Sequence, residues 1–130
     1  MKKKKLQINN TGFFVVQPGE TITITVTADD TAYLAAFPDA PSGAVWSSNN
    51  GPAGVLGPAH VTESRQFVMP VAPGSRCFVA LVFDFQSDVT GAFPPTAQYD
   101  IKVEGSLSGS FDDFPVVPPP IDSRLYKFQA

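Results

Sequence analysis

The sequence predicts an all-β protein: an antiparallel β-sandwich of about eight short strands, with jelly-roll or immunoglobulin-like topology. Three observations lead there. Residues 21–27 read TITITVT, threonine alternating with β-branched aliphatics, which is the period of a half-buried strand. Thirteen Pro and ten Gly punctuate the chain at short intervals and work against long helices. No segment keeps a helical apolar period over about ten residues.

The elements follow in order. Residues 13–16 (FFVV) form a short apolar run, and 17–20 (QPGE) a turn with Pro and Gly well placed. In 21–28, Ile22, Ile24, Val26 and Ala28 face one way and the threonines the other. Asp29 and Asp30 mark a turn before an expected strand over 31–37 (TAYLAAF). Residues 44–46 (AVW) are extended and run into SSNNG, where Asn50-Gly51 is a strong hairpin signal. Residues 54–58 read as irregular chain. Residues 60–68 (HVTESRQFV) place Val61, Glu63, Arg65 and Phe67 on one face, a poor pattern that suits an edge strand. Residues 76–85 (RCFVALVFDF) are apolar on both faces, the mark of a central strand covered on both sides or deep inside a sandwich. A polar loop over 86–95 precedes 98–104 (QYDIKVE), with Tyr99, Ile101 and Val103 inward. Residues 105–111 continue after a kink. Phe111 and Phe114 are expected to anchor the start of a polyproline-like spacer, 115–120 (PVVPPP), before a last strand at 124–128.

Four of these stretches stand in a telling order: FFVVQPGETITITVTA (13–28), DDTAYLAAF (29–37), APGSRCFVALVFDF (72–85) and AQYDIKVEG (97–105). The succession resembles the bacterial pre-peptidase C-terminal type of β-sandwich. The resemblance implies the sandwich fold and a non-catalytic accessory role, since such domains ride on secreted enzymes. The closing PPPIDSRLYKF lies outside the pattern.

Charge narrows the partners. The formal net charge is −3, but Lys2, Lys3, Lys4 and Lys5 hold four of the nine basic residues. Without them five basic residues face twelve acidic ones, a net of −7. Such a body lacks the basic face that nucleic acid requires. No stretch has the ~20 apolar residues of a membrane helix, and the Lys run lacks the apolar region of a signal peptide. The expectation is a soluble chain with no membrane partner and no assigned compartment. It divides into a disordered basic tail at 1–10, a β-sandwich at 11–111, and a Pro-rich spacer with a C-terminal strand at 112–130.

Candidate chemistry is sparse. One His and one Cys fall short of the four ligands of a zinc site. His60 stands in GPAHVTES with no GxSxG elbow in the chain, so it reads as a strand-edge histidine. Cys77, within CFVALVF, reads as a small buried hydrophobe. No pair among the twelve carboxylates is singled out, and no catalytic residue is assigned. Calcium is the one cofactor that the loop carboxylates invite, through Asp29, Asp30, Asp84 and Asp88. The alternative is that these aspartates simply suit turns.

Two readings of function stay open. In the first, a binding module recognises a carbohydrate or a protein surface through loops at one end. Trp46 would then stack on a sugar face while Asn49 and Asn50 hydrogen-bond to it. The alternative makes Trp46 a core residue. In the second reading, the chain assembles into a homo-oligomer through sheet edges and the C-terminal arm. That arm either reaches a neighbour or folds back to complete its own sandwich. The threonine row is the wet side of a strand, an ordered hydroxyl surface, or a face for another subunit.

Overall fold

The computed structural model describes residues 4–29, 43–49, 54–56, 62–84, 98–116 and 122–130. They form ten strands: β1 (Gln7–Ile8), β2 (Phe14–Val15), β3 (Thr21–Asp29), β4 (Gly43–Ser48), β5 (Gly54–Leu56), β6 (Thr62–Val68), β7 (Arg76–Asp84), β8 (Gln98–Gly105), β9 (Gly109–Asp112) and β10 (Asp122–Gln129). No helix occurs among the described residues. The strands make two sheets, one of order β1-β2-β10-β7-β4-β5 and one of order β6-β3-β8-β9. Pairing is antiparallel except between β10 and β2. Both sheets contribute side chains to one apolar core, the arrangement of a β-sandwich.

Strict alternation explains how the core is filled. Ile22, Ile24 and Val26 of β3 are fully buried, as are Cys77, Val79, Leu81 and Phe83 of β7. Buried Tyr99, Ile101 and Val103 of β8 lie beside β3 in the four-stranded sheet, and Tyr126 and Phe128 of β10 beside β7 in the other. The rings interlock: Phe83 packs on Tyr99 at 5.1 Å between centroids, and Phe14 stacks on Phe128 at 5.4 Å. Each such burial contributes about 1.5–3 kcal/mol.

One end of the sandwich is tied by a single carboxylate. Glu20 is only 2% exposed. Its Oε1 accepts from the Gln17 amide (2.8 Å) and the Ser108 hydroxyl (2.6 Å). Its Oε2 accepts from the amides of Leu107 (2.9 Å) and Ser108 (2.8 Å). The Glu20 carbonyl also accepts from the Met69 amide at 2.9 Å. One residue therefore joins the β2–β3 turn, the β6–β7 connection and the β8–β9 hairpin. Burial alone would raise the Glu20 carboxyl, but hydrogen bonds from Gln17, Ser108 and Leu107 outweigh it and hold it below the ordinary value. Gly105 leaves the space: a Cβ there would collide with the Glu20 carboxylate.

The terminal segments differ from expectation. Residues 4–8, expected in a disordered tail, are built into both sheets. Leu6 donates its amide to the Ser110 carbonyl at 3.0 Å, and the Ser110 amide donates to the Lys4 carbonyl at 3.1 Å. The chain then crosses to pair as β1 with β2. Exposed Lys side chains conceal this in the sequence, while Leu6 supplies a buried anchor. Gly109 makes the approach feasible, with φ of 122° and a Cβ position that would meet the Lys4 carbonyl oxygen.

The C-terminal arm folds back onto its own body. β10 is a central strand, in register with β7 from Asp122↔Phe83 to Gln129↔Arg76. A second polar tie fixes it: Asp113 Oδ2 accepts from the Tyr126 hydroxyl at 2.7 Å and faces Arg124 Nη1 at 2.8 Å. Burial would raise the Asp113 carboxyl, but Tyr126, the Phe114 amide and Arg124 hold it below its ordinary value. Burial and the facing carboxylate push the Tyr126 hydroxyl upward. Phe111 packs on Phe14 at 5.2 Å, whereas Phe114, expected as an anchor, is 83% exposed. The kink expected after residue 105 is a full reversal into β9, and 54–56, expected to be irregular, pair with β4.

Two outcomes follow. Glu20→Gln should lower unfolding stability by about 3 kcal/mol, because an amide cannot accept all four bonds. Glu20 and Asp113 have depressed folded values, so their contribution is present at neutral pH and lost as pH falls through those values, below about 4.5. Denaturant titrations between neutral and acid pH should show a shallower acid decline in Glu20→Gln than in the wild type. Deleting 122–130 should prevent soluble folding, since it removes an inner strand and the buried Tyr126 and Phe128; a soluble, folded product would contradict this placement.

Candidate functional site

The two ends of the sandwich differ. The end holding Glu20 closes through short connections at 16–20, 69–75 and 106–108. The opposite end is defined by register: Asp29 pairs with Gln98, Thr27 with Thr62, Gly43 with Asp84, and Asp122 with Phe83. The isolated bridge between Tyr99 and Val116 adds a further strand end there. From these positions the chain leaves into 30–42, 57–61, 85–97 and 117–121, which lie outside the described residues. Four connections thus begin and end on one rim, and a rigid scaffold carrying such connections is a common recognition architecture.

Trp46 sits behind this rim, inside the sandwich. It is 1% exposed, with the Arg65 guanidinium 5.4 Å from the ring centroid. Arg65 Nη2 lies 2.9 Å from Glu63 Oε2, near enough for an ion pair but poorly aligned for a hydrogen bond. Trp46 Nε1 is buried with no hydrogen-bond partner among the described residues. The ring therefore works as a core wall capped by a cation, which is the core alternative of the sequence reading. No open ring face is available for a sugar in this arrangement. Asn49 Oδ1 accepts from the Phe78 amide at 2.8 Å and prolongs the β4–β7 ladder by one rung. Asn50 lies outside the described residues.

The proposed calcium ligands are only partly in view. Asp29 ends β3 and Asp84 ends β7, on the same rim but in different sheets. Asp30 and Asp88 lie outside the described residues, as does His60. Among the described residues no group of three or more His, Cys, Asp or Glu side chains could hold a metal ion. Cys77 is fully buried, and burial pushes its thiol up. No helix of the described residues is long and apolar enough to cross a membrane.

The outer faces of the two sheets have opposite character. On the four-stranded sheet the threonines of β3 lie half-exposed between Thr62, Ser64 and Gln66 of β6 and Asp100, Lys102 and Glu104 of β8. Thr25 Oγ1 and Ser64 Oγ share a hydrogen bond of 2.9 Å, and Lys102 pairs with Glu104 at 3.4 Å. On the six-stranded sheet the outer face is apolar only at its centre, where Val45 is 50% exposed, Val82 43% and Leu125 59%; toward one end Phe13 packs on Phe78 at 5.8 Å with Arg76 and Lys127 against its ring. Beside Leu125 is a shallow recess of about 290 Å³ lined by Ser47, Ser48, Asn49, Phe78 and Ala80. The inner pattern of 76–84 follows the sequence reading, but on the outer side only Phe78 is covered, by Phe13, and Val82 stays exposed. That is the feature sequence reasoning missed, although the two-sided apolar pattern signalled it.

Trp46→Ala should cost about 3–5 kcal/mol of stability by leaving a cavity under Arg65. Trp46→Phe, which keeps a ring and removes the unpaired N–H, should cost less. Thermal and denaturant melts check both, and an alanine variant as stable as the wild type would contradict a core role.

Comparison with family models, with curated proteins and with solved structures finds no match for this chain.

Proposed function

We propose that this chain is a non-catalytic recognition module that binds a protein surface through the rim from which 30–42, 57–61, 85–97 and 117–121 depart. The supporting observation is the asymmetry of the sandwich. One end is locked by Glu20, and the other carries the two longest connections, 30–42 and 85–97. A scaffold rigid at one end and loop-bearing at the other suits recognition. The carboxylates enclosed among the described residues, Glu20 and Asp113, are consumed in hydrogen bonds that tie turns and strands together, which supports binding over chemistry. A protein surface is favoured over a carbohydrate because Trp46 lies enclosed beneath Arg65. The parallel β2–β10 pair departs from the all-antiparallel jelly roll, and we read the topology as immunoglobulin-like.

The test exchanges 86–94 for a short Gly-Ser connector. Wild type and variant are screened on a library of displayed protein fragments and on a glycan array. The variant should keep its circular dichroism and melting temperature and lose the protein binders selected by the wild type. Loss of glycan binding alone would replace the protein partner with a carbohydrate. Binders that survive the exchange unchanged would overturn this assignment of the rim.

A further inference from the structure

We propose that Arg76 and Lys127, gathered on the ring of Phe13, form a docking site for an acidic peptide segment of a partner protein. Charge pairing in this acidic chain is selective. Beyond Lys5 it has five basic residues, Arg65, Arg76, Lys102, Arg124 and Lys127, against twelve acidic ones. Three of the five face carboxylates: Arg65 meets Glu63, Lys102 meets Glu104, and Arg124 meets Asp113. Arg76 and Lys127 face none among the described residues. Both meet one ring instead. The Arg76 guanidinium lies 4.7 Å from the Phe13 centroid and the Lys127 ammonium 4.9 Å. The two charges therefore stand within about 10 Å of each other, a Debye length at about 0.1 M salt. A ring face attracts a cation without neutralising it, so their positive field stays available to an anion.

Register keeps the carboxylates of the same strands away. Asp84 closes β7 at the rim, about 26 Å from Arg76 at a rise of about 3.3 Å per residue, and Asp122 opens β10 there, about 16 Å from Lys127. At the near end Glu20 is enclosed by its own donors, and the Ala130 oxygen accepts from the Gly74 amide at 2.7 Å. The ring itself is held. Asn9 Oδ1 accepts from the Thr11 amide (3.0 Å), the Thr11 hydroxyl (2.8 Å) and the Phe13 amide (3.0 Å). Phe13 then meets Phe78 edge-on at 5.8 Å. Gly12, with φ of 84°, brings this turn against Lys127, and a Cβ there would lie 3.3 Å from Nζ. Cations positioned in this way lose little freedom when a ligand binds, which lowers the cost of association.

A peptide suits the site better than a single oxyanion, because the cations are held separately and do not converge on one point. Along β7 the outward positions succeed one another in steps of two: Arg76, then Phe78 with Lys127 opposite, then Ala80. An extended peptide repeats on one face at the same step, about 6.6 Å. Two acidic residues at that spacing reach Arg76 and Lys127. An aliphatic residue at the next step rests in the recess that Ala80, Ser47 and Phe78 line beside Leu125. The rest of the body is negative, so an acidic segment is repelled elsewhere and drawn here. The site is at the Glu20 end of the sandwich and stands independently of the rim assigned to recognition.

Titration of the isotope-labelled full chain with a capped Glu-Ser-Glu-Ser-Leu peptide, followed by amide chemical shifts at low ionic strength, tests the proposal. The amides of Gly12, Phe13, Phe78 and Lys127 should shift, and the affinity should fall as salt rises. Arg76→Gln and Lys127→Gln should each weaken binding by about threefold, and together by about tenfold. They should also flatten the salt dependence, which a loss of packing alone would not do. Should Lys127→Gln disturb the Phe13 turn, Arg76→Gln, at an exposed position, reads the same site. Lys4→Gln combined with Lys5→Gln should leave binding unchanged. An absence of shifts would overturn the proposal, as would shifts confined to residues 4–8 or binding that survives the double Arg76 and Lys127 variant. Inorganic phosphate bound as tightly as the peptide would replace the peptide with a free oxyanion and overturn the assignment of the partner.

Discussion

The Glu20 carboxylate is the constraint on which the rest of the architecture depends. A buried charge is costly unless its oxygens are satisfied. Here both oxygens are, by three backbone amides and one hydroxyl drawn from two turns. The Leu107 and Ser108 amides converge on it from a hairpin tip, so the chain binds its own anion where other proteins cradle a foreign one. Two parts of the chain more than eighty residues apart are thereby fixed, with β3 and β8 aligned between them. Register in a sheet is all or nothing, because a slip of one residue would send Ile22, Ile24 and Val26 to solvent. A directional knot at one end sets that register, and non-directional apolar burial then fills the space.

The sandwich is accordingly graded from end to end. Near Glu20 the polar groups are paired through short turns. The flank beside β9 and β10 is closed by Asp113, Tyr126 and Arg124, and by residues 4–6 crossing from one sheet to the other. Toward the far rim the inward face of β6 changes from Phe67 to Arg65 and Glu63, so the core ends in an ion pair over Trp46.

Local periodicity made much of this legible. The facing of β3, β6 and β8, the edge position of β6 and the central position of β7 all follow from side-chain alternation in the sequence. The hidden features are those set by distant partners. Glu20 reads as one residue of a PGE turn because its hydrogen-bond donors lie far along the chain. Residues 4–6 read as a solvated charge run because their pairing uses the backbone, which composition does not report. β5 is too short to show a period. Phe114 reads as an anchor from its ring alone, yet its backbone carries the contact, with the carbonyl accepting from Arg124 and the amide donating to Asp113. For the candidate site, sequence left Trp46 between core and ligand platform. Only the position of Arg65 above its ring, brought in by the opposite sheet, distinguishes the two.

Cys77 carries a consequence beyond packing. It is the one cysteine of the chain, fully buried in the apolar core near the start of β7, with its thiol pushed up by that burial. No internal disulfide can form, and the thiolate needed for oxidation or exchange is suppressed. Thiol chemistry therefore does little to set the stability of the folded state. Its stability rests on apolar burial and on two carboxylate ties, so acidity, and not the oxidising power of the surroundings, is the environmental variable to which this sandwich responds.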